Sequence, residues 1–182
     1  MTEMHRVLIV DDHPLFRRGL VQLLQMVPGF DLVGEAAGGA EGLALARTLR
    51  PDLILLDLNM RDMGGLEVLR ALRAARLEAR VVMVTVSDAG EDVVAALRGG
   101  VDGYLLKDME PEAMLEALQA VAAGRIVIPD QLNHLLAAAL RSESRPQSVG
   151  AAGLTEQETR ILEKIAAGLK THAGATVVFT DL

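Results

Sequence analysis

The chain has no cysteine, no tryptophan and few aromatic residues of any kind. The absence of cysteine excludes disulfide bonds, thiolate metal sites and cysteine nucleophiles. Aromatic residues make up 2% of the 182 positions, which argues against a base-stacking platform for single-stranded nucleic acid. Positive charge is also scarce. The net charge is -7 and the pI is about 5.1, so no global field attracts nucleic acid or an anionic membrane.

Long hydrophobic runs are missing as well. No stretch reaches the roughly 18 apolar residues that a membrane-spanning helix needs, and the segment Met1–Arg6 lacks the apolar centre of a signal peptide. Nevertheless 51% of the residues are apolar, which is enough for a core of aliphatic side chains. These features predict a soluble protein of the cytoplasm.

Short aliphatic runs alternate along the chain with longer amphipathic stretches. The runs are apolar without alternation, which is typical of strands buried on both faces: Val7–Val10, Leu32–Val33 with its flanks, Leu53–Leu56, Val81–Val84 and Tyr104–Leu106. Helical patterns follow the runs over Leu15–Met26, Ala40–Leu49, Gly65–Ala75, Glu91–Arg98 and Glu112–Ala122. Five strands alternating with five helices predict an α/β domain over residues 1–124, with a parallel, doubly wound sheet.

The pattern changes after Gly124. We expect a linker over residues 125–153 with a helix near 131–141, and Ser142–Gly153 has the composition of a flexible segment. Thr155–Glu158 forms a capping box ahead of an apolar stripe, so residues 154–169 predict one amphipathic helix. Residues 170–182 show no helical period, and Val177–Phe179 is a short β-prone run.

Polar residues follow four of the predicted strands. Asp11 and Asp12 follow the first strand and Asp57 the third, Thr85 ends the fourth, and Lys107 follows the fifth. The carboxyl ends of parallel strands meet at one edge of a sheet. Three carboxylates there repel one another unless a cation lies between them, and all-oxygen ligation suits Mg²⁺. With lysine and threonine as donors to an incoming phosphoryl group, the set can form an acyl phosphate.

Each of these residues also has a structural interpretation. An Asp-Asp pair ahead of a helix is commonly an N-cap, and a single Asp, Thr or Lys after a strand is commonly a turn residue or a solvated one. The coincidence of four strands at one edge favours the functional interpretation. The histidines lack metal-ligand spacing, so we expect capping or solvated roles for His5, His13, His134 and His172.

The same residues resemble the receiver domain of two-component response regulators. The resemblance runs from about Arg6 to Gly124 and lies in four motifs: Val7–Asp12, Leu53–Met60, Val84–Thr85 and Tyr104–Lys107. Within the family, His13-Pro14 and Gly103–Asp108 are similar to the NarL type, and Glu91–Glu112 is similar to nitrate/nitrite regulators. The resemblance implies a flavodoxin-like strand order, 2-1-3-4-5, and a regulator rather than an enzyme.

The resemblance also implies a role for each acidic residue. Asp57 would accept a phosphoryl group from a sensor histidine kinase. Asp12 and Asp57 would bind Mg²⁺ directly, the backbone carbonyl of Asn59 would be a third ligand, and Asp11 would act through a water molecule.

Three further residues would respond to the phosphoryl group. The resemblance implies that Lys107 pairs with it, that Thr85 moves to bond one of its oxygens, and that Tyr104 changes rotamer with Thr85. The repacking would affect the face of the fourth and fifth helices, through which a homodimer is expected.

Two departures from the family pattern stand out. Arg61 follows Met60 where the family usually has proline, which predicts a less rigid, charged loop after the third strand. Leu154–Leu169 resembles the opening of a LuxR-type helix-turn-helix domain, but residues 170–182 do not continue it and hold Lys170 as their one fixed positive charge. We therefore expect a truncated helix-turn-helix domain without DNA-binding residues, and promoter binding that is lost or impaired.

Two other functions stay open at this point. One is a DNA-binding regulator that remains competent through its tail or a partner. The other is a haloacid-dehalogenase-like phosphatase, which also places aspartate, Mg²⁺, threonine and lysine on a doubly wound sheet. That enzyme needs a second aspartate two residues after the nucleophile as general acid, and here the position is Asn59.

Overall fold

The aliphatic runs form one sheet in the computed structural model, which describes residues 4–143 and 177–180. Its strands are β1 (His5–Val10), β2 (Phe30–Ala36), β3 (Leu53–Leu56), β4 (Arg80–Thr85), β5 (Gly103–Leu106), β6 (Arg125–Ile128) and β7 (Val177–Thr180). The strand order is β2-β1-β3-β4-β5-β6-β7. The first six strands are parallel, and β7 is antiparallel to β6. The predicted fold class and the order of the first five strands are confirmed.

The predicted number of strands is wrong, because two more strands extend the sheet beyond β5. Residues 125–128, which we expected in the linker, form β6 beside β5 with Val127 opposite Gly103. The run Arg125–Ile128 has only four residues, too few for its period to distinguish a strand from a connection. β7 contains the β-prone run Val177–Phe179, and its pairing with β6 joins residues far apart in the chain, which local pattern does not reveal.

Within the described residues, six helices cover the two faces of the sheet. They are α1 (Pro14–Gln25), α2 (Gly39–Leu49), α3 (Gly65–Ala74), α4 (Gly90–Arg98), α5 (Pro111–Ala122) and α6 (Asp130–Glu143). Alternate residues of each strand pack on opposite sides: Leu8 and Val10 face the cluster of α2, α3 and α4, whereas Val7 and Ile9 face that of α1 and α5. Burial on both sides explains why the strands are apolar throughout.

Helix α6 packs against α4. Leu132 of α6 is fully buried and belongs to the same core cluster as Val93, Val94 and Leu97 of α4. The segment after β6 is therefore attached to the domain through the surface of α4.

Several predictions concern other parts of the chain. The capping box at Thr155–Glu158, the helix-turn-helix resemblance over residues 154–169 and most of the tail at 170–182 lie outside the described residues, as does the expected flexible segment beyond Glu143. Within the described ranges, no helix has the length and hydrophobicity to span a membrane.

Candidate functional site

The backbone at the carboxyl edge is fixed by the sheet itself. The N–H of Asp11 donates to Ala36 O at 3.1 Å and that of Asp57 to Val10 O at 2.8 Å, while the N–H of Lys107 donates to Thr85 O at 2.8 Å. Each functional residue follows its strand directly but still bonds to the neighbouring one. The side chains therefore start from backbone positions that have little freedom.

The three predicted aspartates meet at this edge. Ligand atoms of Asp11, Asp12 and Asp57, together with Nδ1 of His13, all lie within 4.8 Å of one another; we call these four residues the acidic cluster. Asp11 and Asp57 are each only 2% exposed. Carboxylates that close together and that deeply buried repel strongly unless positive charge lies among them.

Lys107 provides part of that positive charge. Its Nζ lies 2.7 Å from Asp11 Oδ2 and donates to Asp57 Oδ2 at 3.1 Å. The ammonium also lies 4.7 Å from the ring centroid of Phe16, on α1, which is within cation–π range. Lysine and phenylalanine together thus close one side of the acidic cluster.

Burial raises the pKa of the Asp57 carboxyl, and the charge of Asp11 raises it further. The hydrogen bond and the charge of Lys107 oppose this rise, as does the Asn59 N–H, which donates to Asp57 Oδ1 at 3.3 Å. Desolvation is the larger influence. The ionised carboxylate of Asp57 is therefore poorly solvated, and such a carboxylate is less shielded by water from an incoming electrophile.

Thr85 and Tyr104 lie on a separate hydrogen-bonded path beside the cluster. Thr85 is fully buried, and its Oγ1 accepts the N–H of Ser87 at 3.1 Å. The phenol of Tyr104 is buried and donates to Ser87 O at 3.0 Å, and burial raises its pKa above the usual range. The Ser87 hydroxyl makes a short hydrogen bond to Asp92 on α4. Ser87 thus connects the end of β4 with β5 and α4.

His13 was predicted to be solvated or to cap a helix, yet its side chain reaches into the acidic cluster. It is the N-cap residue of α1, but its side chain makes no capping hydrogen bond. Its Nδ1 lies 3.1 Å from Asp12 Oδ1 and 3.3 Å from both Asp11 Oδ1 and Asp57 Oδ2. A spacing rule for metal ligands missed it, because a residue adjacent to two aspartates in sequence fits no such rule. The imidazole is 62% exposed, so it covers the cluster from the solvent side.

The loop between β3 and α3 supplies two further groups that were not assigned roles. The backbone N–H of Arg61 donates to Asp12 Oδ2 at 3.2 Å, and Nε of its guanidinium donates to the same oxygen at 3.3 Å. The next residue, Asp62, accepts the N–H groups of Gly39 and Ala40 at 3.0 Å each, at the start of α2. These hydrogen bonds lower the Asp62 pKa to about 2.

These contacts hold the loop in place where the family usually has proline, while its lower rigidity stays a prediction. Asp62 fixes the loop to the amino end of α2, where free N–H groups and the helix dipole favour a carboxylate. The fit is close: a Cβ on Gly39 would lie 2.4 Å from Met63 O, so only glycine fits there. The absence of a side chain at Gly39 therefore allows the loop to approach α2.

The donor set of the acidic cluster suits a hard cation. Among the described residues, the buried atoms Asp11 Oδ2 and Asp12 Oδ1 have ion-pair neighbours: Lys107 Nζ lies 2.7 Å from the first and His13 Nδ1 lies 3.1 Å from the second. Carboxylate oxygens are the ligands that Mg²⁺ prefers. The assignment of Asp12, Asp57 and the Asn59 carbonyl as direct ligands stays a prediction.

A three-aspartate cluster with a largely buried lysine, at the carboxyl edge of a doubly wound sheet, is the arrangement that the resemblance to receiver domains implies, and comparison with known proteins supports that family. Residues 7–119 match the response regulator receiver domain family, and the chain belongs to it.

Several relatives are of the NarL type. Over 163 residues the chain is 50% identical to the nitrate/nitrite response regulator protein NarL of Escherichia coli strain K12, covering 90% of this chain and 76% of that protein. It is 46% identical over 175 residues to the nitrate/nitrite response regulator protein NarP of the same strain, covering 95% and 80%. A two-component response regulator of the LuxR family from Aurantimonas sp. SI85-9A1 superposes with a TM-score of 0.71 at 31% identity, covering 76% of this chain and 99% of that one. The resemblance to NarL-type regulators, which are regulators rather than classical enzymes, is thus confirmed.

Proposed function

We propose that Asp57 accepts a phosphoryl group from a sensor histidine kinase and that the reaction requires Mg²⁺ at the acidic cluster. The observation that carries this proposal is the environment of Asp57: it is 2% exposed, lies within 4.8 Å of two other aspartates, and has Lys107 Nζ 3.1 Å from its Oδ2. A structural aspartate would gain nothing from like charges so close to it.

The reaction is an in-line transfer to a carboxylate. An Asp57 oxygen forms a bond to phosphorus, the phosphorus–nitrogen bond of the kinase phosphohistidine breaks, and the released imidazole nitrogen keeps the electron pair and takes a proton from water. Lys107, already 3.1 Å from Asp57 Oδ2, is placed to pair with an oxygen of the arriving phosphoryl group.

Asp12 and Asp57 are proposed to hold Mg²⁺ directly, with the Asn59 carbonyl as a third ligand and Asp11 acting through water. When bound, the ion neutralises charge that develops on the phosphoryl oxygens. His13 and Arg61 would have to yield their contacts with Asp12, since both occupy its carboxylate.

Phosphorylation is proposed to act on α4 through Thr85. Its hydroxyl, which accepts the Ser87 N–H, would turn to donate its O–H to a phosphoryl oxygen, and Ser87 is bonded to both Tyr104 and Asp92. A change there would reach α4 and the α6 helix packed on it. A homodimer through α4 and α5, as the sequence suggests, would use the helix against which α6 packs.

The direct test is phosphoryl uptake measured by intact-protein mass spectrometry. Incubation with acetyl phosphate and Mg²⁺, or with a phosphorylated sensor kinase of the nitrate-responsive class that the relatives' names suggest, should add the mass of one phosphoryl group. Asp57→Asn and chelation of Mg²⁺ should each abolish the addition, while Asp62→Asn should keep it. An unchanged wild-type mass would contradict the proposal.

DNA binding is a separate part of the proposal. Residues 170–182 contain Lys170 as their single fixed positive charge, too few for the phosphate contacts that dominate affinity for DNA. We therefore expect this 182-residue chain, activated with beryllofluoride and Mg²⁺, to retain no promoter fragment selectively at two salt concentrations. Selective retention would show that the chain, or a dimer of it, still binds DNA with sequence specificity.

A further inference from the structure

Arg61 occupies a carboxylate that the proposed metal site needs. Its backbone N–H and its Nε both donate to Asp12 Oδ2, at 3.2 and 3.3 Å. The other oxygen of Asp12 has His13 Nδ1 at 3.1 Å. Both oxygens of this aspartate therefore have a donor or a cation beside them before any metal ion arrives.

The position of Arg61 is built into the loop rather than incidental. Asp62 accepts two N–H groups at the start of α2 and so fixes the backbone next to Arg61. The backbone donor of Arg61 is thereby directed at Asp12, and the guanidinium follows. A proline at this position could supply neither the N–H nor the charge.

From this arrangement we propose that Arg61 competes with the cation for Asp12, so that it sets the Mg²⁺ concentration at which the acceptor site becomes competent. The inference rests on the proposed function of the acidic cluster. In this view the residue at position 61 is a positioning residue that adjusts metal affinity without touching the phosphoryl group.

The expected size of the effect follows from exposure. The Arg61 side chain is 90% exposed, whereas Asp12 is only 9% exposed. Ion pairs with one solvated partner are weak, and salt screens them. We expect loss of the guanidinium to tighten Mg²⁺ binding by about two- to fivefold at low ionic strength, the range that exposed pairs commonly reach.

The test is a Mg²⁺ titration followed by amide NMR, which reads binding without any phosphoryl transfer. Dissociation constants come from the shifts of the amides of residues 11, 12 and 57–60 in the full chain, which every variant retains. Arg61→Ala removes the charge but keeps the backbone donor, Arg61→Lys keeps the charge, and Arg61→Pro removes both. Arg47→Ala, an exposed arginine in the last turn of α2, is the control for removal of one positive charge elsewhere.

We expect the dissociation constant to fall about two- to fivefold in Arg61→Ala, at least as much in Arg61→Pro, and little in Arg61→Lys or Arg47→Ala. The ratio of the Mg²⁺ dissociation constants of Arg61→Ala and wild type should approach one when the ionic strength is raised from about 0.01 M to about 1 M. The reason is that the Debye length falls from about 30 Å to about 3 Å.

Two outcomes would overturn the inference. One is an Arg61→Ala constant equal to that of wild type at low salt. The other is an equal shift in Arg47→Ala, which would mean that net charge rather than position matters. Either result would leave the proposed function intact provided that wild type binds Mg²⁺ and gains one phosphoryl mass. If wild type shows neither, the proposed function itself fails.

Discussion

The two edges of the sheet carry charge in opposite ways. The carboxyl edge holds the acidic cluster, where three aspartates share Lys107 and two solvent-exposed partners. The amino edge has a groove of about 1020 Å³ with four arginines in its lining, Arg50, Arg73, Arg76 and Arg80. The lining of this groove also contains Asp52, Glu78 and Asp102, so charged side chains gather at both edges and their gathering alone does not indicate function.

The difference lies in how the charges are compensated. Arg73 donates to Gly100 O at 2.7 Å, to Ala79 O at 2.8 Å and to Leu77 O at 3.3 Å, and it pairs with Asp102 at 3.0 Å. Asp102 in turn accepts the N–H of Val81 at 2.7 Å. This arginine compensates carbonyl groups where helices end, which is a structural task. At the carboxyl edge, three carboxylates share one largely buried ammonium, while His13 and Arg61 are solvent-exposed partners, so the negative charge is less fully compensated and favours binding of a cation.

The largest expected change in the free energy of unfolding comes from a substitution at the amino edge. Arg73→Met should lower the free energy of unfolding by about 3 kcal/mol, because it leaves several half-buried carbonyls and Asp102 without their donor. Urea denaturation measures the change. Arg70→Met, an exposed position on the same helix, should alter stability by less than about 0.5 kcal/mol. Equal effects of the two variants would remove the proposed difference between the edges.

The next effect concerns the backbone behind the acceptor. A Cβ on Gly65 would lie 2.2 Å from Asp57 O, so Gly65→Ala must displace the start of α3 or the acceptor itself. We expect a loss of about 2 kcal/mol in unfolding free energy, together with slower phosphoryl uptake. Gly64→Ala is the matched control, since its nearest neighbour would be 3.8 Å away. A neutral Gly65→Ala would show that the loop has more room than the structure gives it.

A smaller change, an increase in the free energy of unfolding, is expected from a substitution at the carboxyl edge. Burial and the charge of Asp11 raise the pKa of Asp57, so at neutral pH its ionised form costs the folded state free energy. Asp57→Asn should therefore stabilise the metal-free protein by about 1 kcal/mol, as substitutions at strained functional sites commonly do. Asp102→Asn should instead destabilise it, because Arg73 and Val81 lose a charged acceptor. If Asp57→Asn and Asp102→Asn both destabilised the protein, the charges of the acidic cluster would be as well compensated as those at the amino edge.

The smallest effect is a pH dependence at Asp62. Its hydrogen bonds lower the pKa from 3.8 to about 2, so its contribution to stability is present above pH 3.8 and is lost as the pH falls through about 2. An NMR titration of the Asp62 side-chain carboxyl should have its midpoint near 2, and Asp62→Asn should make stability less pH-dependent over this window. A midpoint near 3.8 would show that the loop is not fixed to α2.

The sequence predicted the parts that strand ends alone determine. Asp11, Asp57 and Lys107 each follow a strand directly, so strand order and direction bring them together whatever the helices do. The contacts of His13 and Arg61 depended on side-chain direction and loop path, which no periodicity encodes. The sequence indicated Arg61 as a missing proline and an added charge, but not its contact with Asp12. The contact of Asp62 depends on the distance between this loop and the start of α2, where Ala40 precedes Asp62 by 22 residues.

Strand β6 escaped prediction for a related reason. A four-residue run is recognised as a strand by the neighbouring strand with which it pairs. The pairing of Val127 with Gly103 is a tertiary contact, which the local sequence pattern does not encode. The roles of Thr85 and Tyr104 as moving parts stay predictions, since the structure shows one arrangement of the bonds through Ser87.

The packing of α6 against α4 offers a site for a reporter label on the domain. The chain contains no cysteine, so a thiol introduced at His134, an exposed position of α6, would be a single attachment point for a dye or spin label. That label would sit on the helix that borders α4, on an element separate from every member of the acidic cluster. The phosphorylation state of a buried carboxylate could then be followed by an optical or resonance signal from the surface of the protein.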